Sequence, residues 1–220
     1  IFVNPTQFNN KNDYNKYPRN IKKDLKILKK LKVNYVFIPN KKQIYNSKNN
    51  IKIRLSKKDK ILCAKYRNGH FEGVIDVMTR LTKIVKPSKI FMGEKDFQQI
   101  FLVKRYIEDN FRSKIILCKT VRDKNKLALS SRNLLLDKKN LIKASKISKD
   151  LISFKKKLFK KKITKELVLI KKKELEKLYD ISIEYLEVRN KKNLQLANKI
   201  KNSKIFIGYY LKSIRLIDNF

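Results

Sequence analysis

Phe91-Met92-Gly93-Glu94-Lys95-Asp96-Phe97-Gln98-Gln99 is the stretch whose reading decides the fold. Residues 88–92 form a short, apolar-ended run after Pro87 and read as a buried strand. Beyond the glycine, Ile100, Val103, Ile107 and Phe111 recur at helical spacing. Gly93-Glu94-Lys95-Asp96 therefore occupies a tight strand-to-helix turn. In an open α/β sheet such a turn lies at the carboxyl end of a strand, where ligands bind. Glycine lets a ligand approach the backbone, the next helix offers unpaired N–H groups, and Lys95 adds a mobile positive charge. The combination suits a nucleotide phosphate, although a plain glycine turn with solvated charges has the same sequence.

Outward from this turn, strands and helices alternate. Ile1-Phe2-Val3 reads as the end of a strand that Asn4-Pro5-Thr6-Gln7-Phe8 leaves, with Asn4 and Gln7 projecting carboxamides at the sheet edge. Ile21, Leu25, Leu28 and Leu31 make a helical stripe that Asn20 is placed to cap. Residues 33–38 read as the next strand, stopped by Pro39, and residues 51–55 as an edge strand. Arg67-Asn68-Gly69-His70 then leads into a helix with stripe Val74, Val77, Met78, Leu81 and Ile84. His70 suits either a structural hydrogen bond or, with Arg67 and Gly69, a binding loop. After strand 114–118 the pattern changes to two lysine-rich helices, about 138–157 and 164–178. Strand 181–188, a short helix, strand 204–211 and strand 213–217 follow. Alternation and then helices followed by strands predict a parallel, doubly wound sheet joined to a small α+β domain. The expected boundary lies between domains 1–120 and 121–220.

Composition bounds the function. The 220 residues, 42% of them hydrophobic, are enough for a core. No run approaches a membrane span. Cys63 and Cys118, both flanked by apolar residues, read as buried thiols of a reducing compartment, not a disulfide. One histidine and no cysteine cluster speak against a structural metal site. The net charge of +38 invites a nucleic-acid reading. Yet the lysines are spread over almost every segment and arginine, the better bidentate reader, is scarce. They read as solvated faces, with nonspecific, salt-sensitive attraction to polyanions as the consequence.

Ser130-Ser131-Arg132 places two hydroxyls and a fixed cation near the domain junction, where they suit a phosphate clamp or a helix N-cap. Neither a Walker A loop nor G-x-G-x-x-G is present. Taken in order, IFVNPTQF, YPR, GHFEGV, GEKDFQQ, LALSSRN and RLIDN resemble the pantoate–β-alanine ligases over essentially the whole chain. That resemblance implies a Rossmann-like nucleotidyltransferase-type domain followed by a small lid domain. It implies condensation of pantoate with β-alanine through a pantoyl adenylate, with ATP as substrate, Mg²⁺ on the ATP, and release of pyrophosphate and then AMP. Gly93, Glu94, Lys95, Asp96, Val121, Leu129, Ser130, Ser131 and Arg132 are then expected to contact ATP, with Lys95 and Arg132 stabilising charge in catalysis. Gln7, Gln99, Arg67 and His70 are expected around pantoate, and Gln7 with Asn4 around β-alanine. A cytoplasmic homodimer with no specific nucleic-acid partner and no membrane contact is implied as well. Another adenylate-forming enzyme of the same fold, or a basic nucleic-acid-binding protein, are the alternatives.

Three departures stand out. Asn68 takes the place of a proline and Lys126 that of a glycine before LALSSR. The family's Met-Gly-x-Leu-His-x-Gly-His turn, whose histidines contact ATP, has no match, so the chain reads as lacking a first βα unit. The expectations that follow are open apolar faces around residues 1–3 and little turnover by the 220-residue chain.

Overall fold

The computed structural model describes residues 1–8, 14–15, 17–45 and 53–220. By contact the chain forms two units, residues 1–90 with 101–115 and residues 91–100 with 116–220.

In the first unit, helix α1 (Ile21–Lys30) starts where its cap predicts, Asn20 accepting the Lys23 N–H at 2.9 Å. None of its residues is buried, and Leu31 and Tyr35, 68% and 93% exposed, continue an open apolar face. The strands expected at residues 1–3 and 33–38 do not form; both segments are coil. They touch, since the amino group of Ile1 donates to the Phe37 carbonyl, but one such bond is no ladder, and a strand exists only through its pairing. Of the expected edge strand, residues 51–52 lie outside the described residues, and residues 53–55 are coil. Helix α2 (His70–Val85) follows Gly69, whose φ of 76° is the left-handed conformation glycine favours. Its stripe buries Phe71, Val74, Ile75 and Val77. Helix α3 (Phe97–Asn110) buries Leu102, Val103 and Ile107 in its later turns. Asp59 is fixed by the Arg105 guanidinium, at 3.2 and 2.5 Å.

Strands β1 (Lys89–Gly93) and β2 (Lys114–Cys118) pair in parallel, joined by α3 as parallel strands require. β1 is less covered than its sequence predicts. Phe91 is 67% exposed, because β2 is its one strand neighbour among the described residues. For the same reason Cys118, at the end of β2, is an exposed thiol and not the expected buried one; Cys63 is buried, and among the described residues neither forms a disulfide.

In the second unit, α4 (Lys138–Leu158) and α5 (Lys165–Tyr179) precede an antiparallel sheet in the order β3 (Ser182–Asn190), β4 (Ser203–Leu211), β5 (Ile214–Asn219). The lysine-rich α4 is a core helix. Ala144, Ile147, Leu151, Phe154 and Leu158, at spacings of three and four, are all buried, joining Ile205, Ile207 and Leu211 of β4 in one cluster. Asp137 caps α4 at Asn140 N (2.8 Å) and Thr164 caps α5 at Leu167 N (3.2 Å). The short helix expected between β3 and β4 is absent. Leu194 is buried instead, and Arg189 bridges Leu196 in antiparallel fashion, so the segment gains its hydrogen bonds by pairing.

Candidate functional site

Each unit carries its own group of the residues singled out above. In the first, Asn4, Gln7, Arg67 and His70 come together around the single 3₁₀ turn Pro5–Gln7. Asn4 is 2% exposed, and its carboxamide is committed to the protein. Nδ2 donates to the Gly73 carbonyl at 3.2 Å, while Oδ1 accepts from Thr6 N (3.3 Å), Thr6 Oγ1 (3.1 Å) and the Tyr45 hydroxyl (2.8 Å). His70 Nδ1 lies 2.7 Å from the Gln7 carbonyl and its Nε2 lies 2.8 Å from Arg67 Nη1. A carbonyl only accepts and a guanidinium only donates, so the partners assign the neutral tautomer with the proton on Nδ1. Arg67 Nη2 also donates to the Gln7 carbonyl, at 3.3 Å. Arg67 and His70 thus hold the backbone of Gln7, which is itself half-buried. Gly73 permits the approach. A Cβ there would lie 2.7 Å from the Thr6 carbonyl oxygen.

In the second unit the decisive turn is a 3₁₀ turn, Glu94–Asp96, leading directly into α3. Gly93 has an extended φ of −72°, and a Cβ built on it would meet nothing within 4 Å. Neither backbone strain nor a close contact among the described residues requires glycine here; the space in front of the backbone is open. Lys95 Nζ rests on Asp96 Oδ1 at 3.1 Å, an ion pair exposed enough to exchange for another anion. Glu94 receives Lys204 Nζ at 3.2 Å, and the Lys204 ammonium lies over the Phe97 ring, 5.6 Å from its centroid. Burial pushes the Lys204 ammonium below the usual lysine range, against the opposing pull of Glu94. Gln99 is half-buried on the first turn of α3, whereas its neighbour Gln98 is buried.

Behind the turn stands the end of β5. Asn219 Nδ2 donates to the carbonyls of Glu94 (2.9 Å) and Lys95 (2.8 Å). Its neighbour Asp218 is gripped by Arg122, at 2.7 and 2.8 Å, and Arg122 also donates to the Asn219 carbonyl at 3.0 Å. The RLIDN signature marks this segment in the sequence, but nothing in its spacing reveals that its last residue holds a turn more than 120 residues away.

The remaining candidates lie on a tight loop and its exit. Arg122 bridges Ala128, and Asp123 Oδ1 accepts the N–H groups of Asn125 (2.8 Å) and Leu127 (2.9 Å). Lys126 keeps the loop closed at φ 72°, in the left-handed region where glycine would sit unstrained. Val121 and Leu129 are joined by a backbone hydrogen bond of 3.0 Å and leave apolar side chains 65% and 57% exposed. Ser130 Oγ caps the 3₁₀ helix Ser131–Leu135 at Arg132 N (3.3 Å), and Arg132 Nη1 donates to the Arg215 carbonyl at 3.2 Å. Among the described residues no group of three His, Cys, Asp or Glu side chains is placed to hold a metal, and no helix is long and apolar enough to cross a membrane.

Comparison with known proteins gives concordant results. The family model described as pantoate-beta-alanine ligase matches residues 1–220. A pantothenate synthetase of Francisella tularensis subsp. novicida is 38% identical over 227 residues, spanning all of this chain and 77% of the relative. Among solved structures, pantothenate synthetase from Thermus thermophilus superposes with a TM-score of 0.92 at 28% identity, covering all of this chain and 81% of that one. A pantoate-beta-alanine ligase from Francisella tularensis, complexed with beta-gamma ATP and beta-alanine, gives a TM-score of 0.80 at 36% identity over all of this chain and 77% of its own.

Proposed function

We infer the function from the premise that this chain belongs to the pantoate–β-alanine ligase family: it condenses pantoate with β-alanine at the expense of ATP. The observation that carries the reading is that the family match runs through residues 1–220, taking in both the Gly93–Asp96 turn and the Ser130–Arg132 segment. In the first step a carboxylate oxygen of pantoate attacks the α-phosphorus, and the bond to the bridging oxygen of pyrophosphate breaks. In the second, the neutral amine of β-alanine attacks the acyl carbon of the pantoyl adenylate, AMP leaves, and the amine gives up a proton.

Both steps move negative charge among phosphate oxygens, so positioned cations and N–H donors do most of the work. Lys95 is assigned to the phosphates because its present partner is an exposed carboxylate. Gly93, Glu94 and Asp96 complete the turn beneath them. Arg132 is assigned the opposite flank, its side chain braced on the Arg215 carbonyl, with Ser130 and Ser131 beside it. Val121 and Leu129 offer the apolar surface an adenine ring requires. Gln99 and Gln7 are assigned to pantoate, and Gln7 also to β-alanine. Asn4, Arg67 and His70 are assigned to the same substrates by holding the Gln7 turn. With no protein cage among the described residues, Mg²⁺ fits only as an ion carried on ATP oxygens, where it would neutralise phosphate charge. The proposal includes a cytoplasmic homodimer.

The test is substrate-dependent pyrophosphate release by the protein as the cell produces it. Pantoate, and not other carboxylates, should support release, with AMP and pantothenate formed together once β-alanine is added. Gln99→Ala should weaken pantoate by about 1–3 kcal/mol and change ATP binding much less. Equal release with unrelated carboxylates would overturn the assignment.

A further inference from the structure

We propose that Asn219 is a positioning residue for ATP, a strut that sets two peptide planes of the Gly93–Asp96 turn. The inference rests on the ligase reading for its consequence but not for its geometry. Asn219 is 3% exposed, and both hydrogens of its amide are spent on one task, one on the Glu94 carbonyl and one on the Lys95 carbonyl. The orientation of the carboxamide follows from the partners, since turning it over would set its oxygen against two carbonyls. Its Oδ1 is then left buried with no hydrogen-bond partner among the described residues. A buried polar atom without a partner is destabilising, so the fold keeps this asparagine for its two donors.

What the strut accomplishes follows from the planarity of the peptide bond. There are no cis peptides among the described residues, so each carbonyl points opposite to the N–H that shares its plane. Tying the Glu94 and Lys95 carbonyls to β5 therefore turns the N–H groups of Lys95 and Asp96 away from β5. The Lys95 N–H is a first-turn amide that i→i+3 bonding leaves without a helical partner, whereas the Asp96 N–H is the first that the turn itself closes, onto the Gly93 carbonyl. The same two bonds fix the Cα of Lys95 and so the direction of its side chain. Carbonyl oxygens facing a polyphosphate would repel it; with the strut in place, the Lys95 N–H faces it instead. Two ion pairs hold the strut still. Arg122 grips Asp218 and the Asn219 carbonyl, and Lys204 pins Glu94 from β4. An aspartate at 219 has the same shape and the opposite effect, because its carboxylate would face two carbonyl oxygens until a proton supplies one donor.

The experiment compares the wild type with Asn219→Ala and Asn219→Asp. Amide exchange in a peptide spanning residues 93–99 should be roughly tenfold faster in Asn219→Ala, with peptides from α4 unchanged. In turnover, kcat/KM for ATP should fall about 100-fold in both variants while the KM for pantoate stays within about twofold. Asn219→Asp should regain activity relative to wild type as pH is lowered from about 8 to about 6, when its carboxyl gains the donating proton. An unchanged exchange rate at 93–99 overturns the strut whatever the activity. Equal losses for ATP and pantoate, with no acid recovery, reduce Asn219 to a fold residue and overturn the positioning role. If Asn219→Asp does not fold, Asn219→Ala alone decides by exchange and by the split between the two substrates. A wild-type protein that consumes no ATP with pantoate would sink the ligase reading, and the exchange comparison would still decide the strut.

Discussion

Gly73→Ala couples stability to function in a way the sequence of α2 does not foresee. On helix propensity alone the change is favourable by up to about 1 kcal/mol. The structure reverses the sign. The new Cβ would lie 2.7 Å from the Thr6 oxygen, 3.0 Å from the Thr6 carbonyl carbon and 3.2 Å from the Gln7 nitrogen, all backbone atoms with no rotamer to swing away. To restore ordinary contact at 3.4 Å, the helix and the Pro5–Gln7 turn must part by as much as 0.7 Å. The Asn4 Nδ2 bond to the Gly73 carbonyl is already 3.2 Å long and would be lost, leaving a buried amide without its partner. Overpacking of this kind destabilises by about 1–3 kcal/mol and the orphaned donor by about 1–3 more. Partial relaxation and the helix gain offset part of that, so the expected loss is about 1–3 kcal/mol, a fall of roughly 3–10 °C in Tm. Because the same displacement carries Gln7, kcat/KM for pantoate should fall about 10- to 100-fold. Thermal unfolding followed by circular dichroism, with steady-state kinetics on the same preparation, measures both. A variant as stable as wild type with an unchanged pantoate KM would refute the reasoning.

Other substitutions test other parts of the structure. Lys126→Gly should raise stability by about 0.5–1 kcal/mol in urea denaturation, because relief of the left-handed strain at φ 72° exceeds the added chain entropy; a loss would mean the loop is not strained there. For Asp59, burial pushes the carboxyl up, but the hydrogen bonds from Arg105 and Ser56 and the Arg105 charge together outweigh it and hold the group below the ordinary aspartate range. Its stabilisation is therefore present above about pH 4 and lost as pH falls through the lower folded value. Asp59→Asn should weaken the protein by about 1–3 kcal/mol at pH 7 and remove that acid dependence, read from denaturation midpoints at a series of pH values. Burial, with Asp218 adding to it, drives the Tyr209 phenol above its ordinary range, so its contribution is full below about pH 10 and disappears as pH rises toward the folded value. Tyr209→Phe should flatten the alkaline fall in stability, and an unchanged alkaline profile would place that fall elsewhere.

The elements that local physics specifies were legible without a structure. Strand 114–118, the Asn20 cap, the two lysine-rich helices and the closing strands all have short-range signatures, periodicity of 3.6 or 2 bounded by capping residues. The turn at Gly93 was legible for the same reason, as an apolar run, a glycine and a helical stripe in succession. The apolar runs at 1–3 and 33–38 look no different from strands in composition, yet they are coil, because a ladder depends on a neighbour that no local pattern encodes. Cys118 was misread for the same cause: flanking apolar residues do not reveal how many strands lie beside β2.

By itself, the sequence determined the family, because that is a property of the order of side chains along the chain. Tertiary structure alone decided what each residue does with its atoms. It turned Asn4 inward as a pin, set Arg67 and His70 on the Gln7 carbonyl, and put Asn219 behind the Glu94 and Lys95 carbonyls. The physical reason is range. Propensity and periodicity act over a few residues, whereas a hydrogen bond between positions 95 and 219 exists only after a sheet has brought its two ends within 2.8 Å.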